Sequence, residues 1–325
     1  MKAIKLSALT VAGLLALSAC SSSSSSSQST STGGGDAAGS TIKIAMITHG
    51  DGGSFWSVVK KGAEDAAKAE GVQLTYEESN NDPQKQAQMI EAAITAGVQG
   101  VAVSAPNPDA IKGALAKATA AGIPIITLNS GSTVYKELGA ITHVGQDEEI
   151  AGEGAGEQLK AAGATKVLCV IHEQNNQGLQ DRCAGAKKTF GDVVDFQVTG
   201  TADPTKSGNE IAAKLQADPS IDAVLTLNPD IATAALQAME TIGSKAKLAT
   251  FDLSGDVVKD IQDGKILFAV DQQQYLQGYL PVVFLKLYIT NANTVGGGQP
   301  VLTGPGFVTK DNAAKVAALA QAGTR

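Results

Sequence analysis

The stretch that decides the fold is residues 100–129, GVAVSAPNPDAIKGALAKATAAGIPIITLN. It begins with a short apolar run, GVAVS at 100–104, and ends with a second one, IPIITLN at 123–129. Between them, from about Asp109 to Ala121, the composition is rich in Ala and Lys and favours a helix. Two short apolar runs on either side of a helical segment predict a β-α-β unit with parallel strands.

The same unit repeats along the chain from residue 41. In the first half, we predict strands at 42–47, 72–78, 100–104 and 123–129, alternating with helices. After a looser segment, 130–147, the pattern restarts, with strands at 166–172, 194–200, 221–228, 247–252 and 266–272 and a long helix at 275–291. Two such sets of strands and helices are more than a single hydrophobic core usually contains. The sequence therefore predicts an α/β fold of two doubly wound parallel-sheet lobes joined by a multi-strand hinge.

The lobe boundaries follow from the point where the pattern restarts. We expect an N-terminal lobe of residues 41–146 plus 275–302 and a C-terminal lobe of residues 147–274 plus 303–325.

The first forty residues predict export. Lys2 and Lys5 precede an apolar run that is too short to span a bilayer and suits a secretory signal. The run ends in LSAC at 17–20, which resembles a bacterial lipobox and implies cleavage after residue 19 and lipidation of Cys20. An ordinary signal peptide with an incidental Cys is the alternative. Residues 21–40 are mostly Ser and Gly and predict a flexible tether. We expect an extracytoplasmic domain that is held at the membrane by its lipid alone.

Composition and motifs narrow the function. The formal net charge is −7, and scattered acidic residues argue against nucleic acid as a partner. The sequence contains neither a G-x-S-x-G elbow nor a G-x-x-x-x-G-K-[ST] phosphate loop, and its three histidines lie far apart. We therefore predict a binding protein rather than an enzyme, with no cofactor and no metal.

Two cysteines remain besides Cys20. Cys169 lies in a predicted strand and Cys183 at the start of the next helix. Outside the cytosol, a disulfide between them is the favoured interpretation, and two buried thiols are the alternative. A zinc site with His172 is not favoured, because a fourth ligand at a usual spacing is missing.

Compact polar residues follow many of the predicted strands. In open α/β sheets, ligands bind beyond the carboxyl ends of the strands. Each residue could simply cap the next helix, but together they favour a shared polar cleft. Amide, carboxylate and guanidinium groups grip the neighbouring hydroxyls of a neutral polyhydroxylated molecule. The strand-end set is His49, Ser104, Asn129, Ser130, Glu173, Asn228, Asp252 and Gln272, with Gln146 and Asp147 at the opening of the second half.

Two aromatic residues open the first helix. Phe55 and Trp56 follow the loop GDGG at 50–53, and Trp56 is the only tryptophan of the chain. At the lip of a cleft, an aromatic face would suit the C–H face of a sugar ring. The alternative is that both side chains are ordinary core residues.

Three segments resemble the periplasmic sugar-binding proteins of the ribose-binding type, which are the solute-binding subunits of ABC importers. The segments are AGIPIITLN (121–129), FDLSGDVVKDIQDGKILFAVDQQQYLQGY (251–279) and the lipobox. The resemblance covers nearly all of residues 41–310 and implies the type I periplasmic binding protein fold. Regulators of the lac-repressor type share that fold but begin with a DNA-reading helix-turn-helix, where this chain has a signal and a tether.

The resemblance also implies a set of ligand-binding positions. These are His49, Phe55, Trp56, Ser104, Asn129, Arg182, Asn228, Asp252 and Gln272. The chain departs from the ribose pattern at His49, at Asn129 and at Gly53-Ser54, where relatives begin an Asn-Pro-Phe-Phe run. Ribose itself is therefore in doubt, and hexoses, pentoses and polyols such as inositol stay open.

The function implied is a monomeric receptor that binds a monosaccharide or polyol between its lobes, closes by hinge motion and delivers the ligand to an ABC permease. A receptor for a nucleoside or a signalling molecule, or a receptor coupled to a sensor, is the second interpretation. An extracytoplasmic enzyme is the third.

Overall fold

The computed structural model describes residues 41–325. The predicted signal peptide, Cys20 and the tether lie outside the described residues. The first half contains β1 (Lys43–Thr48), α1 (Ser54–Glu70), β2 (Gln73–Glu78), α2 (Pro83–Thr95), β3 (Gly100–Ser104), α3 (Pro108–Ala120), β4 (Ile125–Asn129) and β5 (Thr142–Gly145). The second half contains α4 (Glu148–Ala161), β6 (Val167–Ile171), α5 (Gln177–Phe190), β7 (Val193–Gln197), α6 (Pro204–Ala217), β8 (Ala223–Thr226), α7 (Pro229–Thr241), β9 (Lys247–Phe251), α8 (Gly255–Gln262) and β10 (Phe268–Asp271). The chain ends with α9 (Gln274–Asn291), a 3-10 turn (Gly296–Gly298), β11 (Val301–Leu302), β12 (Gly306–Thr309) and α10 (Ala313–Gln321).

The strands form two six-stranded sheets with equivalent order. Sheet A runs β11-β5-β4-β3-β1-β2, and sheet B runs β12-β10-β9-β8-β6-β7. All neighbours are parallel except β12, which pairs antiparallel with β10. In both sheets the first strand, β1 or β6, lies between the next two strands of the chain, so each sheet winds outward in both directions. The predicted fold of two doubly wound parallel sheets is confirmed.

Both faces of each sheet are covered, as parallel sheets require. In β1, Ile44 and Met46 pack into the core on one face, while Ala45 and Ile47 pack into the core on the other. All four side chains are fully buried. This arrangement explains why the strands read as continuous apolar runs rather than as an alternation.

Glycines bring α4 and α5 into close contact. A Cβ on Gly152 would collide with the backbone of Arg182, and a Cβ on Gly185 would collide with the backbone of Glu149. The segment GEGAGE at 152–157 therefore serves helix packing. The contact sets the start of α4 beside the middle of α5, next to the carboxyl end of sheet B.

Four elements were missing from the sequence prediction. β5 lies in the segment that we interpreted as loose, and β11, β12 and α10 lie after the last predicted helix. β11 has two residues and β5 has four, so neither shows a readable apolar run. β11 returns the chain to sheet A after sheet B has been built, and β12 takes it back to sheet B. No helix among residues 41–325 has the length and apolar character needed to cross a membrane.

Candidate functional site

Two adjacent cavities lie where the carboxyl ends of the two sheets meet. We call the outer cavity the vestibule. The volume that is open to the centres of water molecules is about 30 Å³ in the inner cavity and about 530 Å³ in the vestibule. Eight of the nine predicted ligand-binding residues line the inner cavity: His49, Phe55, Trp56, Asn129, Arg182, Asn228, Asp252 and Gln272. Every one of these side chains is buried.

The ninth predicted residue, Ser104, lines neither cavity. Its hydroxyl lies behind His49, 2.9 Å from the His49 backbone N–H and 2.7 Å from the His49 Nδ1. Ser104 is itself fully buried at the end of β3. Its position therefore suits holding the imidazole in place rather than contacting a ligand.

His49 forms a wall between the inner cavity and the vestibule, together with two residues of the β6–α5 connection. His49 Nε2 is 3.6 Å from Glu173 Oε2 and 3.5 Å from Asn176 Nδ2. Asn176 in turn donates to Glu173 at 2.6 Å. Burial opposes ionisation of Glu173, but the neighbouring His49 and the hydrogen bond from Asn176 outweigh it and hold the pKa of Glu173 far below its ordinary value. The wall thus carries a carboxylate.

The aromatic pair stands at the start of α1. The Trp56 ring lies edge-on to His49, with centroids 4.7 Å apart, and edge-on to Phe55, with centroids 5.0 Å apart. Both aromatic residues line the inner cavity and also belong to the core of sheet A. The two interpretations of this pair, cleft and core, both describe part of its environment.

Arg182 is held in the cavity wall by a partner that sequence reasoning missed. Its Nε and Nη2 donate to the Glu148 carboxylate at 2.6 and 3.1 Å, and its Nη1 donates to the Leu227 carbonyl at 3.3 Å. The guanidinium lies over the Phe251 ring, 4.5 Å from its centroid. Burial alone would lower the pKa of Arg182, but the paired Glu148 raises it above its ordinary value.

Asp252 is the buried carboxyl of the site. It follows β9 with φ at 71° and accepts a hydrogen bond from the Gln272 amide at 2.7 Å. Burial raises the pKa of Asp252 to about 7, although Arg182 and Gln272 pull in the opposite direction. Near neutral pH the protonated and ionised forms of this group therefore coexist, and the protonated form can donate a hydrogen bond as well as accept one.

A network of amides links the two sheets beneath the cavity. Asn129 is the last residue of β4 in sheet A, with φ at 59°, and its amide contacts the Oε1 atoms of Gln272 at 3.5 Å and Gln277 at 3.4 Å. Gln277, on α9, donates to Gln272 at 2.8 Å. Left-handed backbone at non-glycine residues concentrates at binding sites, and Asn129 and Asp252 are two such residues on the inner cavity.

Asn228 both caps a helix and lines the inner cavity, which are the two roles that its position after a predicted strand suggested. Its Oδ1 accepts hydrogen bonds from the backbone N–H groups of Asp230 and Ile231 at 2.8 and 3.2 Å, so it caps α7. The same side chain lines the inner cavity.

Polar contacts across the gap hold the two halves together. Ser54, at the start of α1, donates to the Asp230 carboxylate at 2.7 Å through its hydroxyl and at 3.0 Å through its backbone N–H. Asp51 contacts Thr201 on the opposite side. These contacts bring the two sheets into a closed arrangement around the inner cavity.

Cys169 and Cys183 form a disulfide. The Cys169 and Cys183 sulfur atoms are bonded at 1.99 Å, which joins β6 to α5. Among residues 41–325, no group of three or more His, Cys, Asp or Glu side chains is arranged to hold a metal ion. Buried His172 lines both cavities, and desolvation lowers its pKa despite the nearby Glu173.

Sequence reasoning placed the strand-end residues but missed several that lie on connections or helices. Glu148 follows Asp147 at the start of α4, a position typical of helix capping, and nothing in the sequence joins it to Arg182. Asn176 caps α5 through a hydrogen bond to the Gly178 N–H at 3.0 Å. The others are Asp51, His172 and Glu173, of which the sequence marked only Glu173 as following a strand.

The arrangement is chemically suited to recognition. It offers forked donors from Arg182, a carboxyl at Asp252 that donates and accepts, amides at Asn129 and Asn228, and an aromatic edge. Residues 44–293 match the periplasmic binding protein domain. The chain belongs to this family. The resemblance to ribose-type receptors is confirmed, and membership places the folded domain outside the cytoplasm.

Individual relatives of this periplasmic binding protein span nearly its full length. The ribose import binding protein of Haemophilus influenzae is 29% identical over 285 residues, which cover 86% of this chain and 91% of that protein. The xylitol-binding protein of Mycolicibacterium smegmatis is 26% identical over 324 residues, covering 95% and 86% respectively. A carbohydrate transporter crystal structure from Acidothermus cellulolyticus, in complex with myo-inositol, is 45% identical with a TM-score of 0.85, covering 88% of this chain and all of that one.

Proposed function

We propose that this protein is an extracytoplasmic solute receptor that binds a monosaccharide or polyol in the inner cavity and delivers it to an ABC permease. The observation that carries the proposal is the convergence of His49, Trp56, Arg182, Asp252 and Gln272 on one cavity between the two sheets. Receptors of this family bind solutes rather than transform them, and we propose the same of this chain.

The size of the cavity supports a single small ring. If the space open to water centres is treated as a sphere and its radius is extended by the radius of a water molecule, about 1.4 Å, the cavity has a radius of roughly 3.3 Å. A six-membered ring with its hydroxyl groups has about that size. Relatives bind ribose and xylitol by name, and the 45% identical structure holds myo-inositol, a cyclic polyol, which makes myo-inositol the first ligand to test.

Closure gives the site its selectivity. Ligand would enter an open form, and the contacts of Ser54 with Asp230 would form as the lobes close. Once the cavity is dry, each unpaired hydrogen-bonding group costs about 1–3 kcal/mol, so a hydroxyl in the wrong position is rejected.

The anchoring and organisation complete the proposal. We propose that Cys20 is lipidated after cleavage of the signal peptide and that residues 21–40 tether a monomeric domain to the membrane. We also propose lobes of residues 41–146 plus 275–302 and residues 147–274 plus 303–325. In support, the chain passes between the sheets after β5, after β10 and after β11.

A ligand screen tests the function. Residues 41–325 would be refolded from denaturant to remove bound ligand, then titrated calorimetrically with myo-inositol, ribose, xylitol, hexoses and nucleosides. We expect micromolar or tighter binding of one cyclic polyol or monosaccharide, with one site per chain. Binding confined to nucleosides would replace the proposal with a nucleoside receptor, and chemical conversion of the bound compound would replace it with an enzyme.

The anchor is tested separately on the full-length protein. Wild type expressed in a bacterial host should partition into detergent with the mass of a diacylglyceryl group, whereas Cys20→Ala should not. Equal partitioning of both proteins would contradict lipidation at Cys20.

A further inference from the structure

The vestibule is a large cavity that the proposed function does not use. It leaves about 530 Å³ for water centres, far more than the inner cavity, and lies directly outside the wall of His49, Glu173 and Asn176. Five connections that follow strands line it, three from sheet A and two from sheet B. The vestibule is therefore formed, like the inner cavity, where the connections of the two sheets meet.

Carboxamide side chains dominate the lining. Gln86, on α2, is one of them, and it donates to the Ser104 carbonyl at 2.8 Å. Six more come from three different connections: Asn80, Asn81, Asn107, Gln174, Asn175 and Asn176. Of these six, only Asn176 is committed within the described chain, to Glu173 at 2.6 Å and to the Gly178 N–H at 3.0 Å. Asn107 stands at the start of α3 without capping it through its side chain. Free amides from both halves of the molecule converge on one space.

The backbone at one edge holds two of these amides in an unusual conformation. Asn80 and Asn81 both have left-handed φ, at 56° and 58°. Their N–H groups donate to the carbonyls of Gly50 and His49 at 2.8 and 2.9 Å, so the conformation is fixed by the connection that carries His49. Non-glycine residues in this region cluster at ligand clamps.

The charge of the lining restricts the occupant. No Lys or Arg of the described chain lines the vestibule, so a phosphate or carboxylate group would find no cation to pair with. The charged side chains are Asp51 and Glu173, both at the inner wall. Pro83 and Pro106 supply apolar surface beside the amides. Amides with flat apolar patches suit a neutral, hydroxyl-rich ring.

The wall between the cavities is loosely closed. The contacts of His49 with Glu173 and Asn176 across it measure 3.6 and 3.5 Å, which is longer than an ordinary hydrogen bond. The His172 Nδ1, on the same wall, is buried and has no hydrogen-bond partner. A small rotation of these side chains would admit a single bridging oxygen and leave it beside an unsatisfied group.

We propose that the vestibule binds a second neutral, hydroxyl-rich unit that is linked to the ring in the inner cavity, so that the ligand class includes O-glycosides of the monosaccharide or polyol. The proposal rests on the proposed function, because the first ring must occupy the inner cavity. Amides of the vestibule then hydrogen-bond the second unit, while the linkage passes the wall of His49, Glu173 and Asn176.

The test compares free rings with their glycosides. The refolded domain would be titrated with myo-inositol and with ribose, each free and as its O-galactoside. We expect at least one galactoside to bind about tenfold or more tightly than its free ring, since about 1.4 kcal/mol from added hydrogen bonds gives that factor.

Variants of the vestibule localise the effect. Asn107→Ala combined with Asn175→Ala removes one amide from each side, and Asn175→Trp fills the space. We expect both to weaken the galactoside about tenfold while the free ring changes by less than about twofold. The control is Asn293→Ala, an exposed residue after α9 that lines neither cavity.

Three results would overturn the proposal. If free rings bind but none of their galactosides does, the vestibule does not bind a second unit, and the proposed function stands. The same conclusion follows if the vestibule variants lose affinity for the free ring and for the galactoside equally. Absence of binding by every free ring and every galactoside removes both proposals.

Discussion

Glu148 and Arg182 form a two-pronged ion pair in the wall of the inner cavity, with N–O distances of 2.6 and 3.1 Å, and both side chains are at most 6% exposed. The pair joins the first residue of α4 to the middle of α5. Gln146 also donates to the Glu148 carboxylate, at 2.8 Å. Glu148 does not line the cavity, so it acts on a ligand through Arg182.

We expect Glu148→Gln to reduce both stability and ligand affinity. Removing one partner of a buried ion pair costs about 3–5 kcal/mol, because the other charge stays buried without compensation. Glu149→Gln is the matched control, since Glu149 pairs with Lys188 at the surface. Thermal unfolding and calorimetry should show a large loss for Glu148→Gln and little change for Glu149→Gln. Equal behaviour of the two variants would contradict a positioning role for Glu148.

The raised pKa of Asp252 predicts a pH dependence of the unliganded protein. The folded-state pKa is about 7 against an ordinary value of 3.8, so the folded protein keeps a proton that the unfolded chain releases. The stability from this group is full below about pH 4 and is lost as pH rises through about 7, on the order of 4 kcal/mol at most.

Comparison with Asp252→Asn isolates that contribution. The stability of wild type relative to the variant should fall steadily between pH 4 and pH 8, as measured by denaturant unfolding without ligand. Glu173, whose pKa is lowered, contributes the opposite trend but is present in both proteins. A difference that does not change with pH would show that Asp252 is ionised throughout.

Trp56 provides a direct report on the inner cavity. As the only tryptophan of the chain, it dominates the emission, and it lies against His49 and Phe55. Ligand should therefore change its fluorescence in a saturable way. Trp56→Leu should weaken binding by about 1–3 kcal/mol through lost aromatic contact. Phe307→Leu, which removes an aromatic residue that contacts Phe268 and lines neither cavity, should leave affinity unchanged.

Ser54 and Asp230 contact each other across the gap and do not line the inner cavity, so a substitution at Asp230 should affect closure without removing a ligand contact. Asp230→Ala removes two hydrogen bonds across the gap, at 2.7 and 3.0 Å, and should weaken binding about tenfold by favouring the open form. Asp109→Ala, in the first turn of α3, is the equivalent acidic residue without that contact. X-ray scattering should report a larger radius of gyration for the Asp230 variant alone. Identical scattering and affinity in the two variants would contradict a role in closure.

The disulfide ties both ends of the connection that carries Glu173 and Asn176. Cys169 and Cys183 are 14 residues apart, and a loop of about that length stabilises a protein by about 3 kcal/mol in the chain-entropy model. The double change of both cysteines to Ala should lower the free energy of unfolding by about that amount and weaken ligand binding. Mass spectrometry after alkylation, with and without reductant, checks the bond, since two free thiols would be alkylated without reduction.

The sequence predicted those parts of the site that lie at the ends of long apolar strands. Asp252 and Gln272 follow strands whose buried runs are easy to read, and parallel topology brings their carboxyl ends together. Glu148, Asn176 and the amides of the vestibule lie on helices or connections, where local patterns show only capping. Their partners are far away in the chain, as with Arg182 and Glu148, so tertiary packing alone defines them.

The fold, like the site, has parts that the sequence predicts and parts that it does not. The β-α-β units were predictable because each strand is covered on both faces and each helix has a matching composition. β11 and β12 were not, because they are short strands at sheet edges whose pairing depends on the sheets already being in place. The role of Ser104 was also out of reach, since only the structure reveals that its hydroxyl faces the ring of His49.

The order of the strands has a consequence for how this molecule can be dissected. Along the chain, the edge strand of sheet A, β11, comes after all the parallel strands of sheet B. The edge strand of sheet B, β12, comes after β11. No single cut in the chain therefore yields an intact half. A single-lobe fragment for crystallisation or for biosensor engineering would require splicing two stretches of sequence with a new linker.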